Sequence, residues 1–507
     1  MRELESAISE EAEKLIRRFE IYARQLADEH RRRARRTTNP VPQLSLKRPL
    51  YWSLAAGFDP YLVRSRSACI AYSVQNRVAA RTFEPFTPFK HFVPKVGGGQ
   101  REISVFQVAD STVSRVVYER LMEKNRVRMS SRAYAYRDDI TAQDAIQYTG
   151  AELRGQSRVF VAEYDFSKYF DNIGHDYLRK ILRDRQFLIT RTEQAVIDSF
   201  LRISPLPAST YQARGGPRRE RGIPQGTSIS LFLANLAAWE LDRALERLGV
   251  SFVRYADDTL IWSNEYAQIC RAVDTLHEMA VRIGSPINLQ KSGGVRLLVA
   301  PGAPSEMPGT PFIEYLGHRI TLSSVCIKNK AVERIKKRIT ELLYFNLIKE
   351  PEAGTQNAGQ LGRVDRDYVT YIWQLRRYLY GDVSERRLRR FQARGVPCRR
   401  FRGVMSFFPL VDDQQQLKEL DAWLVCSTCM AMRKRARLLT GLGYSALPDP
   451  LGVPDCRALA NYVRRSRTTG GVLDLRIPSF QRIASVIRMA ATQYGTASIA
   501  RTSRYEY

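Results

Sequence analysis

Two runs of this chain place carboxylates where burial would be costly. In "VRYADDTLIWS", Val253 to Ser263, Asp257 and Asp258 stand side by side between apolar stretches. In "VFVAEYDFSKYFDNIGHDYL" the apolar run Val159 to Ala162 leads to Asp165, at what should be the end of a strand. Like charges crowded together repel, and a buried carboxylate is strongly unfavourable unless a cation compensates it. If the strand before Asp165 neighbours the hairpin around Asp257, three carboxylates from two strands converge. Hard oxygen ligands of that kind suit Mg²⁺, which keeps part of its water and takes the rest of its shell from substrate phosphates. Two such ions together activate an attacking hydroxyl and stabilise a leaving pyrophosphate. The expected cation is therefore a pair of Mg²⁺ ions, with Mn²⁺ as the substitute.

Between the two acidic runs lies "RGIPQGTSISLFLANLAAWELD", Arg221 to Asp242. A Gly-x-Pro-Gln-Gly loop opens a helix there. Its glycines permit close backbone approach to a ligand, and a helix N-terminus favours phosphate. Taken together, "AEYDFSKYFDNIGH", "GIPQGTSIS" with "ANL", and "YADD" resemble, in order and spacing, the palm of reverse transcriptases. "FVPKVGGGQREISVFQVADSTVSRVVYERL" resembles the fingers segment of that family and "SSRAYAYRDDITAQDAI" the stretch after it. "SPINLQKSGGV" is similar to the fourth palm motif, and "IEYLGHRI" to the hairpin where palm meets thumb. The resemblance runs from about Phe89 to Ile320.

That resemblance implies roles. Asp165 and Asp257 would be metal ligands, Asp258 a more peripheral third carboxylate, and the backbone carbonyl of Phe166 would complete one metal shell. Phe170 matches the steric gate that excludes a ribose 2′-hydroxyl and so selects deoxynucleotides. Lys95 and Arg101 match the residues that grip the incoming triphosphate, where cations orient the leaving group. Gln225 and Gly226 would lie against the templating pair, and Lys291 would meet the β- and γ-phosphates. Asn172 and His175 are assigned to shaping the turn and the helix start. Cys270, His277 and His318 are read as structural.

The elements that must position these residues form an α+β pattern. Short β-rich runs (Val159–Tyr164, Ser251–Tyr255, Thr259–Trp262) alternate with helical ones (110–124, 228–247, 267–283), which suggests an antiparallel sheet. "PLPASTYQARGGPRRERG" and "APGAPSEMPGTP" should be loops. Residues 1–36 look helical, with Leu4, Ile8, Leu15, Phe19 and Leu26 on a loose stripe ending in "RRRARR", and "TTNPVP" marks a linker. The expected division is a helical basic arm and linker (1–45), fingers and palm (46–322), a thumb-like helical region (323–400) and an α-helical C-terminal extension (401–507). The implied architecture is the right-hand polymerase fold with an antiparallel palm sheet.

At 507 residues the chain is long enough for several cores, and 80 Lys and Arg against 52 acidic residues give a formal charge of +28. Such an excess points to a polyanionic partner, nucleic acid first. No apolar stretch approaches the roughly 20 residues of a membrane-crossing helix. The 7 cysteines are scattered, and no signal peptide opens the chain, so a reducing, cytoplasmic setting is expected. "CSTC", with Cys426 and Cys429, is read as core packing. No ribonuclease H, integrase or protease segment is recognisable.

"KRPLYWSLAAGFDPYLVRSRSACIAYSVQNR" and the stretch from "QLRRYLYGDVSERRL" to "LKELDAWL" resemble bacterial abortive-infection and defence-associated reverse transcriptases, which are related to group II intron and retron enzymes. The resemblance implies antiphage defence. Its partners would be a noncoding template RNA, the DNA product and deoxynucleoside triphosphates, and self-association into a homo-oligomer is compatible with it. Untemplated or protein-primed DNA synthesis is the alternative, with Tyr505 or Tyr507 in the tail "SIARTSRYEY" as primer hydroxyl. The further rivals are an intron maturase, a retron enzyme and a non-catalytic RNA-binding scaffold.

Overall fold

The computed structural model describes residues 2–94, 98–185, 187–452, 455–465 and 471–499. Lys95, Tyr505 and Tyr507 lie outside the described residues. A hairpin of β1 (Phe89–Pro94) and β2 (Gln100–Val105) precedes the main sheet. That sheet has five strands in the order β4-β5-β3-β6-β7, from β3 (Arg158–Tyr164), β4 (Ser251–Tyr255), β5 (Asp258–Ser263), β6 (Gly294–Val299) and β7 (Gly309–Thr310). All pairs are antiparallel except the short β6–β7 pair, which is parallel.

The unbroken apolar run in β3 follows from its central place, since both of its faces are covered. Phe160, Ala162 and Tyr164 face one core with Leu178, Phe200, Leu233 and Leu276, drawn from four helices. Val159 and Val161 face a second core with Ala145, Ile146 and Leu153 of the helix Ala142–Leu153. That second core also takes Tyr315 and Ile320 from an antiparallel sheet of β8 (Ile313–Tyr315), β9 (His318–Ile320) and β10 (Val325–Ile327). The long helical stretch expected over 228–247 is two helices, Ser228–Ala237 and Trp239–Leu248. The second Gly/Pro-rich loop contains the two-residue β7.

Beyond β10 the chain is mostly helical, with one short antiparallel pair of strands, Val463–Arg465 and Val472–Asp474, and a single core runs from Ile327 to Ile499. The boundary expected at residue 400 therefore does not divide two cores. Leu375 and Leu379 of the helix Arg366–Tyr380 pack in the same interior as Leu420 and Ile483. At its centre Arg435, fully buried, donates to Asp365, Asp367, the Gln356 side chain and the Leu347 carbonyl. An unpaired guanidinium there would be very costly, and the paired aspartates make it tolerable.

The first helix, Arg2–Arg36, has 35 residues and so spans about 52 Å. Near its start Ile8 and Ala12 pack against Val63, Ala71 and Val108. At its end Arg36 donates to Asn346 at 3.1 Å, and Thr37 bridges Gln356. The presumed linker is thus docked at its first residues. Several arginines along the helix pair with acids one turn away, as Arg17 with Glu13 and Arg32 with Glu29 do. Of the CxxC pair, Cys429 is buried as expected and Cys426 is exposed. No helix among the described residues is long and apolar enough to cross a membrane.

Candidate active site

Register brings the acidic runs together. Tyr164 pairs with Thr259 at the end of the β3–β5 ladder, and Tyr255 pairs with Asp258 across the β4–β5 turn. Asp165, one residue past β3, therefore lies beside the start of β5. The turn is a two-residue hairpin loop, Ala256 and Asp257, and Ala256 holds φ +59°. That conformation is strained for a residue with a Cβ, and strain of this kind persists only where surrounding contacts enforce it.

The enforcing contacts come from Arg254, fully buried one turn of chain before the acids. Its guanidinium forks onto both oxygens of Asp242 at 2.6 Å each. It also donates to the Ala256 carbonyl at 2.9 Å and to Asn235 Oδ1 at 3.3 Å. Its backbone pairs with Arg132 and Tyr134 at 2.9 Å on both sides. Desolvation alone would push Arg254 down, but the Asp242 carboxylate outweighs it and holds the guanidinium charged. Sequence reading missed this network. A charged residue inside an apolar strand and another inside the apolar run ending at Asp242 were the available signal, because each needs a buried partner.

The acids crowd one another. The carboxylates of Asp165 and Asp257 lie within hydrogen-bonding reach, and Asp257 is pushed up from 3.8 to about 6 by burial and then by Asp165. Asp258 is raised to about 7 by the protein packed around it, then by Asp257, Asp165 and Glu163. Its side chain still opens to solvent, so water screens part of that rise. Glu163, absent from the sequence-based assignment, faces Arg296 at 3.0 Å and is raised chiefly by its own burial.

One cation is already present. Lys291 Nζ donates to Asp165 Oδ2 at 2.6 Å. The segment carrying it wraps the Asp165 backbone: Asn288 N–H donates to the Asp165 carbonyl at 2.8 Å, and Asp165 N–H reaches Ser292 Oγ at 3.4 Å. Beside it, Ser167 N–H donates to the Pro286 carbonyl at 2.7 Å. These bonds use the carbonyl of Asp165 and the amide of Ser167, leaving the Phe166 carbonyl out of the ladder. Among the described residues no group of three or more His, Cys, Asp or Glu side chains is gathered so as to enclose a metal by itself. The donor set that does fit a divalent ion is the repelling pair Asp165 and Asp257, with Asp258 at the side and substrate oxygens needed to complete a shell.

The Gly-x-Pro-Gln-Gly loop reaches both the acidic strand's continuation and the hairpin. Gly222, at φ +80°, lies so close to Asp171 that a Cβ would sit 2.5 Å from its carbonyl oxygen. Gly226, at φ +111°, approaches the Ser104 carbonyl of β2 equally closely. Gln225 accepts from Ser104 N–H at 2.7 Å through its own carbonyl and points its side chain toward Asp171. Phe170 is half-buried, its ring edge-on to Tyr136 at 6.4 Å, and its carbonyl accepts from Ile223 at 2.7 Å. Arg101 lies on β2 opposite Val93. His175 donates to the Gly222 carbonyl at 2.7 Å, and Asn172 bonds Ser167 and Arg221. His318 is buried and pushed down to about 4 by that burial.

Residues 93–320 match the family model described as reverse transcriptase (RNA-dependent DNA polymerase). The matched stretch, under half of the chain, resembles a reverse transcriptase domain, and the mixed helix and antiparallel-sheet architecture around it is the right-hand polymerase fold. Among curated proteins, the chain is 29% identical over 158 residues to a putative COX1/OXI3 intron 1 protein of Saccharomyces cerevisiae, covering 30% of this chain and 18% of that one. It is 22% identical over 211 residues to Protein YkfC of Escherichia coli, covering 41% of this chain and 53% of that one. The chain thus spans about a fifth and about half of the lengths of these two relatives. Among solved structures, telomerase from Candida albicans in complex with a fragment of telomeric RNA aligns with a TM-score of 0.36 at 12% identity, over 76% of this chain and 68% of that one.

Proposed function

We propose that this chain is an RNA-directed DNA polymerase that joins deoxynucleotides to a growing strand at the Asp165–Asp257 pair. The observation that carries the reading is the crowding of these carboxylates at one sheet end, inside the matched domain. Asp165, Asp257 and the Phe166 carbonyl would hold paired Mg²⁺, with Mn²⁺ as substitute and Asp258 to one side. Bound there, such ions lower the pKa of an attacking hydroxyl and neutralise charge on a departing pyrophosphate. Lys291 supplies a positive charge beside the reacting phosphates, and Lys95 and Arg101 grip the triphosphate. Gln225 and Gly226 back the templating pair. Phe170 closes the space a 2′-hydroxyl would need.

The test is the double variant Asp257→Ala with Asp258→Ala. Nucleotide incorporation should vanish while RNA binding persists, and full activity would remove the mechanism. Persistent RNA binding with wild-type function would instead favour the maturase or scaffold reading.

We further propose a role in bacterial antiphage defence, with a noncoding RNA as template. The flanking segments before and after the matched domain support it by their resemblance to defence-associated enzymes. Sequencing nucleic acid that copurifies with the protein, before and after infection, should recover one RNA and its complementary DNA. Protein priming from Tyr505 or Tyr507 is tested by incubation with labelled deoxynucleotides. Label that survives denaturation on the protein and disappears in Tyr→Phe variants would establish it.

A further inference from the structure

An aromatic surface lies outside the active site, on the helical C-terminal half. The helix Asn329–Leu343 continues into a π turn, Tyr344–Ile348, that leaves Tyr344 43% and Phe345 46% exposed. On the neighbouring helix Arg366–Tyr380, Trp373 is 59% exposed. The chain has 5 tryptophans, and the other four are buried or half-buried.

These rings share one side of a helix pair. Asn346 donates to Gln374 at 2.8 Å, while Tyr378 lies near Arg338 and Arg334, so the two helices run antiparallel. Each residue turns a helix by about 100°. In an antiparallel pair the residues just before two facing positions swing to the same side, and those residues are Phe345 and Trp373. Tyr344 meets Phe345 edge-on at 5.7 Å.

The surroundings of the rings are cationic. Lys349 Nζ lies 5.5 Å from the Phe345 ring centre, and Arg377, one turn after Trp373, is exposed. The first helix brings its basic last turn to the same place, because Arg36 donates to Asn346, next to Phe345. Arg33 and Arg35 of that turn are exposed. Single exposed rings are ordinary, but rings gathered on one face mark a surface that meets a partner. A protein partner would be served by aliphatic side chains as well, whereas rings set among arginine and lysine suit stacked bases and their phosphates.

We propose that Tyr344, Phe345 and Trp373 form a stacking platform for unpaired RNA, with Lys349, Arg377 and the end of the first helix taking its phosphates. The choice of RNA over DNA rests on the polymerase reading, in which the template is the strand that stays partly single. The platform itself does not depend on that reading.

The experiment uses the whole protein without nucleotides. A fluorescein-labelled mixed-sequence single-stranded RNA, the same sequence as DNA, and its RNA duplex are titrated at several salt concentrations. The single-stranded RNA should bind tightest, with affinity falling steeply as salt rises. Trp373→Ala and Phe345→Ala should each weaken it by roughly tenfold, and Trp373→Phe should restore most of the loss. In the unmodified protein the RNA should quench tryptophan emission, and that quenching should be absent in Trp373→Phe. Unchanged affinity in both alanine variants, equal binding of duplex, or preference for the DNA strand would overturn the proposal. Incorporation on a pre-annealed primer–template is measured alongside. Intact incorporation with unaltered RNA binding would sink the platform and leave the polymerase reading standing.

Discussion

Lys291 Nζ sits 2.6 Å from Asp165 Oδ2, so an ammonium occupies one oxygen of a carboxylate that a divalent ion would also need. The lysine is 66% exposed on a long stem and the aspartate 21% exposed, so the lysine is the partner that moves. Asp165 holds the lysine charged, raising it above its ordinary value chiefly through their hydrogen bond. Substrate phosphates would give the ammonium a second partner of the same sign as Asp165.

Lys291→Met should therefore have two opposite effects. The metal concentration needed for half-maximal activity should fall, since a competitor for Asp165 has gone. The rate of incorporation should also fall, by about ten- to a hundredfold, as a charge that stabilises the departing phosphates is lost. A metal titration combined with single-turnover rates separates the two. An unchanged metal requirement would mean that the lysine does not compete at Asp165.

The pH dependence of stability follows from Asp257. Its folded value, about 6, lies above the ordinary 3.8, so the protonated form is favoured by folding. The stabilisation this gives is complete below about 3.8 and is lost as pH rises through about 6. Without divalent ions, melting temperature should drop across that window on this account. Millimolar Mg²⁺ should restore it increasingly as pH rises, because it neutralises the carboxylates as they ionise. Asp257→Asn should weaken both trends in a thermal melt followed by circular dichroism, leaving the part that Asp258 contributes.

The strands carrying these acids were legible in the chain because their apolar runs are nearly continuous and end in charge. Ser251–Tyr255 was placed to the residue, and β3 and β5 each to within one residue at either end. The partner of Arg254 was not legible. Asp242 lies on a helix, and only the packing of that helix under the sheet brings the two together. The seat of the first helix was half legible. The expected stripe included Ile8 but passed over Ala12 and Ile16, which are fully or nearly buried; an alanine is too small to announce a contact that depends on close helix approach. The undivided C-terminal core was hidden for another reason. Its unity comes from contacts between segments about a hundred residues apart, such as Tyr380 with Ser479, and helical periodicity reports only on neighbours.

Arg254 separates fold stability from site geometry. Arg254→Met leaves Asp242 buried without its partner and should cost about 3–5 kcal/mol of stability. Adding Asp242→Leu removes the orphaned charge and should recover most of that loss. Incorporation should not recover in the double variant, because the Ala256 carbonyl has still lost the guanidinium that holds the strained turn. Urea melts report the first quantity and saturating single-turnover rates the second. Recovery of both together would show that Arg254 matters to folding alone.

Phe170 is the residue on which sugar selection should depend. Its backbone is pinned by the Ile223 amide at 2.7 Å, and its ring is braced by Tyr136 and Tyr169, so the ring cannot retreat from an added hydroxyl without breaking packing. An enzyme excludes a substrate by making its transition state clash, and the discrimination is read as a ratio of kcat/KM values. Phe170→Ala should raise ribonucleotide use relative to deoxynucleotide use by on the order of tenfold or more, whereas Phe170→Tyr, which keeps the ring, should leave the ratio near that of the unmodified protein. The loss should appear in discrimination rather than in the metal requirement, since a phenyl ring supplies no metal ligand. Competition between matched ribo- and deoxynucleotides on one template measures it directly, and a ratio unmoved by the alanine substitution would return Phe170 to the role of a packing residue.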